Sequence, residues 1–300
     1  MVTVTESAGV RRVALSGLES SHADEVIRLL NAEGRLPSTR VAALVGGDGV
    51  RAAELARRGR IDTVVADAAQ VAGRIDAAIV CERDGGAHAA IAAAFIDQGV
   101  PVFVDKPFTT DAADARELVE RARDRCVVLM SCSALRFAPE VLRIADELSR
   151  DRGPRRVEVF GPVDTRSPYG GVYYYGSHLT DVAVSLVRGA LQDVHVEADG
   201  DGGFVASART DVDELVLHGM PAATGRFALR AGPAAIPPES EPTPLTLSSD
   251  YFWPAISAFF AAVDTGSPVV PAGEMVRSVE LLDHIAARLP AQRAPVRGTH

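Results

Sequence analysis

Residues 13–23 read Val13-Ala14-Leu15-Ser16-Gly17-Leu18-Glu19-Ser20-Ser21-His22-Ala23: a short apolar run, a turn opened by glycine, and the start of an alanine-rich amphipathic stretch. The stretch continues to residue 33 with Ala23, Val26, Ile27 and Leu30 on one face, the periodicity of a helix, and Gly34 supplies a stop. The same unit recurs downstream. Residues 41–45 read as a strand before a helix at 51–58 that ends at Gly59, and 77–81 as a strand before a helix at 88–98 closed by Gly99. A strand at 102–104, a helix at 111–123 and a strand at 127–130 complete the series. Apolar strands without alternation, each followed by a helix, imply a parallel sheet covered on both faces. In such a doubly wound sheet, ligands sit beyond the carboxyl ends of the strands.

The second half has another grammar. Residues 156–160, 194–197, 214–218 and 226–230 read as strands of a mostly antiparallel sheet, with a helix at 178–187 ended by Gly189. Five prolines in 231–245 (Pro233, Pro237, Pro238, Pro242, Pro244) predict an irregular excursion. Helices at about 255–263 and 273–288 close the chain, the last one placed to pack back on the first half. The expected fold class is therefore α/β: a doubly wound parallel-sheet (Rossmann) domain over residues 1–130, then an α+β domain with an open, mostly antiparallel sheet over 131–300.

At roughly 100–200 residues per domain, 300 residues fit this division. With 31 Lys and Arg against 40 Asp and Glu the formal charge is -9, which argues against a partner bound through its phosphate backbone, such as nucleic acid. No stretch approaches the ~20 apolar residues of a membrane span. Residues 1–10 show neither a basic nor an apolar leader, so a cytoplasmic location is expected. Cys81, Cys126 and Cys132 form no C-x-x-C pair and read as buried, reduced thiols.

The turn after the first strand is where a dinucleotide fold places G-x-G-x-x-G, glycines that allow a tight turn and close approach of pyrophosphate. Here Gly17 holds the first position, while Glu19 and His22 hold the second and third. Ser21 with Asp24 is a candidate helix cap. The helix start would still offer backbone N–H groups to an anion, with Gly17, Leu18, Glu19, Ser20 and Ser21 as the receiving loop, but Glu19 brings a carboxylate toward the phosphates. A plain turn without phosphate is the other reading. After the second strand, Gly46-Gly47-Asp48 puts no carboxylate at the strand end for ribose hydroxyls, and Asp48 reads as a ribose ligand or a turn residue.

Further on, Phe103-Val104-Asp105-Lys106-Pro107-Phe108 ends a parallel strand. Together with Asp76-Ala77-Ala78-Ile79-Val80-Cys81 and His88, Ser133-Ala134-Leu135-Arg136-Phe137-Ala138-Pro139, the run Tyr173-Tyr174-Tyr175-Gly176-Ser177-His178-Leu179-Thr180-Asp181, and Thr265-Gly266-Ser267-Pro268, it resembles the glucose–fructose oxidoreductase/inositol dehydrogenase (Gfo/Idh/MocA) family in order and spacing. The resemblance spans nearly the whole chain and rests on the ordered set rather than on any one motif.

The resemblance implies an NAD- or NADP-dependent oxidoreductase that moves a hydride between nicotinamide and a sugar-like or cyclitol-like hydroxyl or carbonyl compound. Lys106 matches the lysine that touches substrate and cofactor, Asp105 its acidic neighbour, and His178 the histidine at the reacting oxygen. Tyr174 stands where the family has an acidic partner, and a phenol is a poor base near neutral pH. Asp181 is placed to orient the imidazole or to be a helix-surface charge. Arg83, in the altered segment Glu82-Arg83-Asp84-Gly85-Gly86, is placed to meet a phosphate or to pair with Glu19 or Glu82. The cofactor set is then Gly17, Leu18, Glu19, Ser20, Ser21, Gly46, Arg83, Asp105 and Lys106, and the substrate set Lys106, Tyr174, His178 and Asp181. His178, Asp181, His195 and His218 lack the spacing of a metal site. The loops at 164–175 and 231–248 would carry substrate specificity, and the second-domain sheet would join a dimer or tetramer. Glu19, His22, Gly46 and Tyr174 together also admit a protein of this fold without hydride transfer.

Overall fold

The computed structural model describes residues 9–289 apart from 224 and 235–239. Six strands build the first sheet: β1 (Arg11–Ser16), β2 (Thr39–Val45), β3 (Thr63–Val65), β4 (Ala77–Val80), β5 (Val102–Val104) and β6 (Leu129–Ser131), in the order β3-β2-β1-β4-β5-β6. Every pairing is parallel. Helices α1 (Ser21–Ile27), α2 (Gly49–Gly59), α3 (His88–Ile96) and α4 (Ala112–Asp124) provide the crossovers. The strand order turns back between β1 and β4, so a crevice opens beyond Ser16 and Val80, which lie side by side.

Beyond α5 (Pro139–Arg150), the second sheet comprises β7 (Arg155–Val163), β8 (Gln192–Ala198), β9 (Phe204–Arg209), β10 (Glu214–Pro221), β11 (Ala228–Pro233) and β12 (Thr243–Pro244), in the order β12-β11-β7-β10-β9-β8. It is antiparallel except where β10 runs parallel to β7. Helix α6 (Val172–Leu186) covers one face, setting Leu179, Val182 and Ala183 against Val157, Val159, Leu215 and Leu217. Helix α7 (Trp253–Thr265) returns Phe252, Phe259 and Phe260 to the first core. Helix α8 (Ala272–Ala286) serves both cores, with Met275 and Val279 in the first and Leu281 and Ile285 in the second.

Several local expectations are corrected. Ser20, not Ser21, caps α1, its Oγ accepting the His22 N–H, and Asp24 instead pairs with Arg51 and Arg58. The helix ends at Ile27 and runs on as a π turn, Arg28–Ala32. Strands β3 and β9 and helix α5 come in addition to the elements read from sequence; β3 has only three residues, too few for a pattern. Helix α6 starts at Val172, six residues before His178, because the chain breaks at Gly171 (φ 59°) and the three tyrosines are wound into its first turns. The proline-rich excursion contains strand ends: Pro233 closes β11 and Pro244 lies in the edge strand β12, where a missing N–H costs no ladder bond. Pro237 and Pro238 lie outside the described residues. Cys126 is exposed rather than buried; Cys81 and Cys132 are buried free thiols.

Candidate active site

The site lies at the carboxyl ends of β1, β4 and β5, where α6 brings its N-terminal turns against the first sheet. The β1–α1 turn is tight by necessity. Gly17 has φ +79°, and a Cβ there would fall 2.2 Å from the backbone of Cys81 and Glu82 after β4. Leu18 is fully buried, and its carbonyl accepts Arg51 Nε at 3.0 Å. Glu19 is exposed and reaches across the crevice, its Oε1 accepting the Arg83 N–H at 3.1 Å. Ser20 is spent on the cap, and Ser21 is the first, exposed residue of α1. At the end of β2, Gly46 (φ +73°) has nothing within 4 Å of where a Cβ would stand, and Asp48 caps α2 through the Arg51 N–H.

The third loop position is filled. His22 donates or accepts at Nδ1 with Asp105 Oδ2 at 2.6 Å, and its ring lies 4.4 Å from that of Phe252. Burial alone would raise the Asp105 carboxyl; the charge and hydrogen bond of His22 outweigh it and hold the carboxyl down at about 2. A glycine here would leave this space to packing, so histidine and the short aspartate complement each other.

Lys106 and Pro107 are joined by a cis peptide. Their loop rests on Gly85, where a Cβ would lie 2.2 Å from Pro107 Cγ, and His88 braces it between the carbonyls of Pro107 (2.6 Å) and Glu82 (2.9 Å). Lys106 Nζ donates to the Tyr174 carbonyl at 3.2 Å and stands 4.5 Å from the Tyr174 ring centroid and 6.0 Å from that of Tyr175. Burial lowers its ammonium below the usual lysine range, with Asp105 opposing. Tyr174 thus serves Lys106 through its backbone and ring face, and burial pushes its hydroxyl up.

His178 is half-buried on α6, and its Nδ1 lies 2.6 Å from Ser133 Oγ. Burial, then the nearby charge of Lys106, pushes the imidazole well below its ordinary range. Asp181 is buried rather than a surface charge. Its carboxylate binds the Arg136 guanidinium at 2.8 and 3.1 Å and accepts the Ser133 N–H at 2.9 Å. It therefore reaches His178 only through Ser133. The Arg83 guanidinium lies 5.6 Å over the Tyr169 ring instead of against Glu19 or Glu82.

Ser133, Tyr169 and Tyr175 join the site although none was in the cofactor or substrate set; Ser133 opens the matched run 133–139, and Tyr169 and Tyr175 lie in the stretch 164–175 expected to carry specificity. Among the described residues, three buried polar atoms at the strand ends, Ser16 Oγ, Glu82 Oε2 and Asp105 Oδ1, have no hydrogen-bond partner. Burial raises the Glu82 carboxyl above its ordinary range. Among the described residues, no group of three or more His, Cys, Asp or Glu side chains could hold a metal ion, and no helix is long and apolar enough to cross a membrane.

Residues 11–132 match the sequence profile described as the oxidoreductase family with an NAD-binding Rossmann fold, GFO_IDH_MocA. No curated protein matches the chain in sequence. Among solved structures, a putative myo-inositol dehydrogenase from Sinorhizobium meliloti is similar with 20% identity and a TM-score of 0.71, over 92% of this chain and 96% of that one. GenD2 from gentamicin A biosynthesis, solved in complex with NAD, gives 18% identity and a TM-score of 0.74 over 96% and 97%. The WlbA dehydrogenase from Thermus thermophilus, in complex with NAD and UDP-GlcNAcA, gives 13% identity and 0.70 over 95% and 97%. At these identities the likeness to the solved structures is one of fold, and the similarity to the oxidoreductase family profile is confined to residues 11–132.

Proposed function

We propose that the protein is an NAD- or NADP-dependent oxidoreductase acting on a hydroxyl or carbonyl group of a small sugar-like or cyclitol-like molecule. The observation that carries the reading is that Lys106, from the end of β5, donates across the crevice to the Tyr174 carbonyl of α6, the helix that also carries His178, and that its charge acts on that imidazole. The residues fit a dinucleotide. Gly17 keeps the turn tight, Gly46 leaves open space at the end of β2, and the unpartnered atoms of Ser16, Glu82 and Asp105 are placed to bind the hydroxyl and amide groups of its nicotinamide half. Bound there, the cofactor would supply the carbon that accepts or returns hydride.

The chain's own residues hold and charge-balance the reacting oxygen. Lys106, its ammonium held below the usual lysine range by burial, orients the substrate hydroxyl and favours its alkoxide as hydride leaves the adjacent carbon. His178 holds the same oxygen from the α6 side. Tyr169, Tyr174 and Tyr175 offer ring faces to a polyol. The domain boundary is placed near residue 130, the cytoplasm is the proposed location, and the open face of the second sheet is the proposed contact of a homo-oligomer.

The test is calorimetric titration with NADH and NADPH separately. Micromolar binding of either supports the reading and names the cofactor. No binding of either at millimolar concentration would favour the second reading, a protein of this fold without hydride transfer. The observation behind that reading is the Glu19 carboxylate tethered across the crevice, with the Glu82 carboxyl beneath it.

A further inference from the structure

We propose that Ser133 is a positioning residue that keeps His178 in the tautomer carrying its hydrogen on Nε2, so that the ring presents a donor, not a base, to the reacting oxygen. The name of that oxygen rests on the oxidoreductase reading; the tautomer does not.

The argument is one of hydrogen-bond accounting. Ser133 is completely buried and caps the short 3-10 turn Ala134–Phe137, its Oγ accepting the Leu135 N–H at 3.1 Å. The same Oγ lies 2.6 Å from His178 Nδ1. A hydroxyl has one proton and two lone pairs. Were Nδ1 to donate, Oγ would accept twice, and its own proton would point to no acceptor that the described residues supply. Leaving it so in a buried place costs about 1–3 kcal/mol. With Oγ donating to Nδ1, every group is satisfied, and the neutral ring must then carry its hydrogen on Nε2. A separation of 2.6 Å also suits a hydroxyl donor better than a ring N–H, whose contacts run from about 2.7 Å.

The hydroxyl is itself fixed from behind. Asp181 accepts the Ser133 N–H at 2.9 Å, and Arg136 holds Asp181 by two contacts. Burial and the Lys106 charge keep the imidazole neutral, which is the condition for a single tautomer to matter. Nε2 makes no hydrogen bond among the described residues, so its hydrogen is available to a ligand. An Nε2 that already bears hydrogen cannot take the proton of an alcohol; His178 steadies the oxygen as carbonyl or alkoxide, and proton removal falls to another group of the cleft.

The test is nitrogen NMR of protein labelled with 15N-histidine, with the His178 signals assigned by their loss in His178→Gln. The expected result is an unprotonated nitrogen at Nδ1 and a protonated one at Nε2, unchanged from pH 6 to 8. Ser133→Thr, which keeps the hydroxyl, should preserve this pattern, and Ser133→Ala should give mixed tautomers. If turnover is found, Ser133→Ala should lower kcat about ten- to a hundredfold with little change in KM, and Ser133→Thr should restore it. A proton on Nδ1 of the wild-type protein would overturn the proposal. The Ser133 hydroxyl would then be turned to a water in the small cavity, about 10 Å³, that it shares with Lys106, Ser177 and Asp181. Failure to bind either dinucleotide would remove the oxidoreductase reading but leave the tautomer result standing.

Discussion

His22 Nδ1 and Asp105 Oδ2 lie 2.6 Å apart, so the third position of the β1–α1 loop is bonded to the residue that precedes Lys106. The helix that would face the phosphates and the loop that carries the lysine are thereby one mechanical unit, backed by the Phe252 ring.

His22→Ala leaves a buried carboxyl without its partner and should cost about 3 kcal/mol at neutral pH, measured by urea unfolding. The folded-state Asp105 carboxyl stands at about 2 against an ordinary 3.8, so its contribution is present above pH 4 and is lost as pH falls toward 2. The gap between variant and wild type should shrink over that window; a gap that widens there would contradict the assignment.

Glu19→Gly removes the carboxylate that reaches across the crevice to the Arg83 N–H. Dinucleotide affinity should rise about tenfold, equivalent to about 1.4 kcal/mol. Calorimetry with both proteins under the same salt reads this directly, and unchanged affinity would mean that Glu19 swings clear of the phosphates.

Lys106→Met should abolish turnover, by a factor of about 10³ or more, yet raise stability by about 1 kcal/mol at pH 7. Burial lowers the folded-state lysine below its unfolded value, so the charged form burdens the fold. That burden is full at low pH and fades as pH climbs toward 10.5, where the stability difference should close. A loss of stability in the variant at pH 7 would count against this account.

Asp181→Asn breaks a buried ion pair with Arg136 and loosens the support of Ser133. Thermal unfolding should shift downward by about 3 kcal/mol equivalent, because among the described residues Arg136 keeps only Glu274 as an ion-pair partner. An exposed aspartate would show almost no change, and that result would refute its structural role.

Much of this was legible in the residues. The recurrence of apolar run and amphipathic helix through residues 13–130 specified a parallel sheet, since strands covered on both faces have no polar side to alternate with. Asp105, Lys106 and His178 were named as candidates from their place in an ordered pattern. Short strands were not: Thr63-Val64-Val65 carries too few residues for a period, and it forms because Val45 offers a paired edge beside it. The start of α6 was missed because tyrosines wind into a helix as readily as they line a loop.

The sequence by itself determined the doubly wound sheet and the place of its crevice, because hydrophobic period and turn residues act locally. Only the tertiary structure decided which partner each polar group takes. Glu19 goes to the Arg83 amide, His22 to Asp105, Asp181 to Arg136, and His178 to Ser133, 45 residues away. Hydrogen bonds and burial depend on distances between segments far apart in the chain, and no local pattern encodes them.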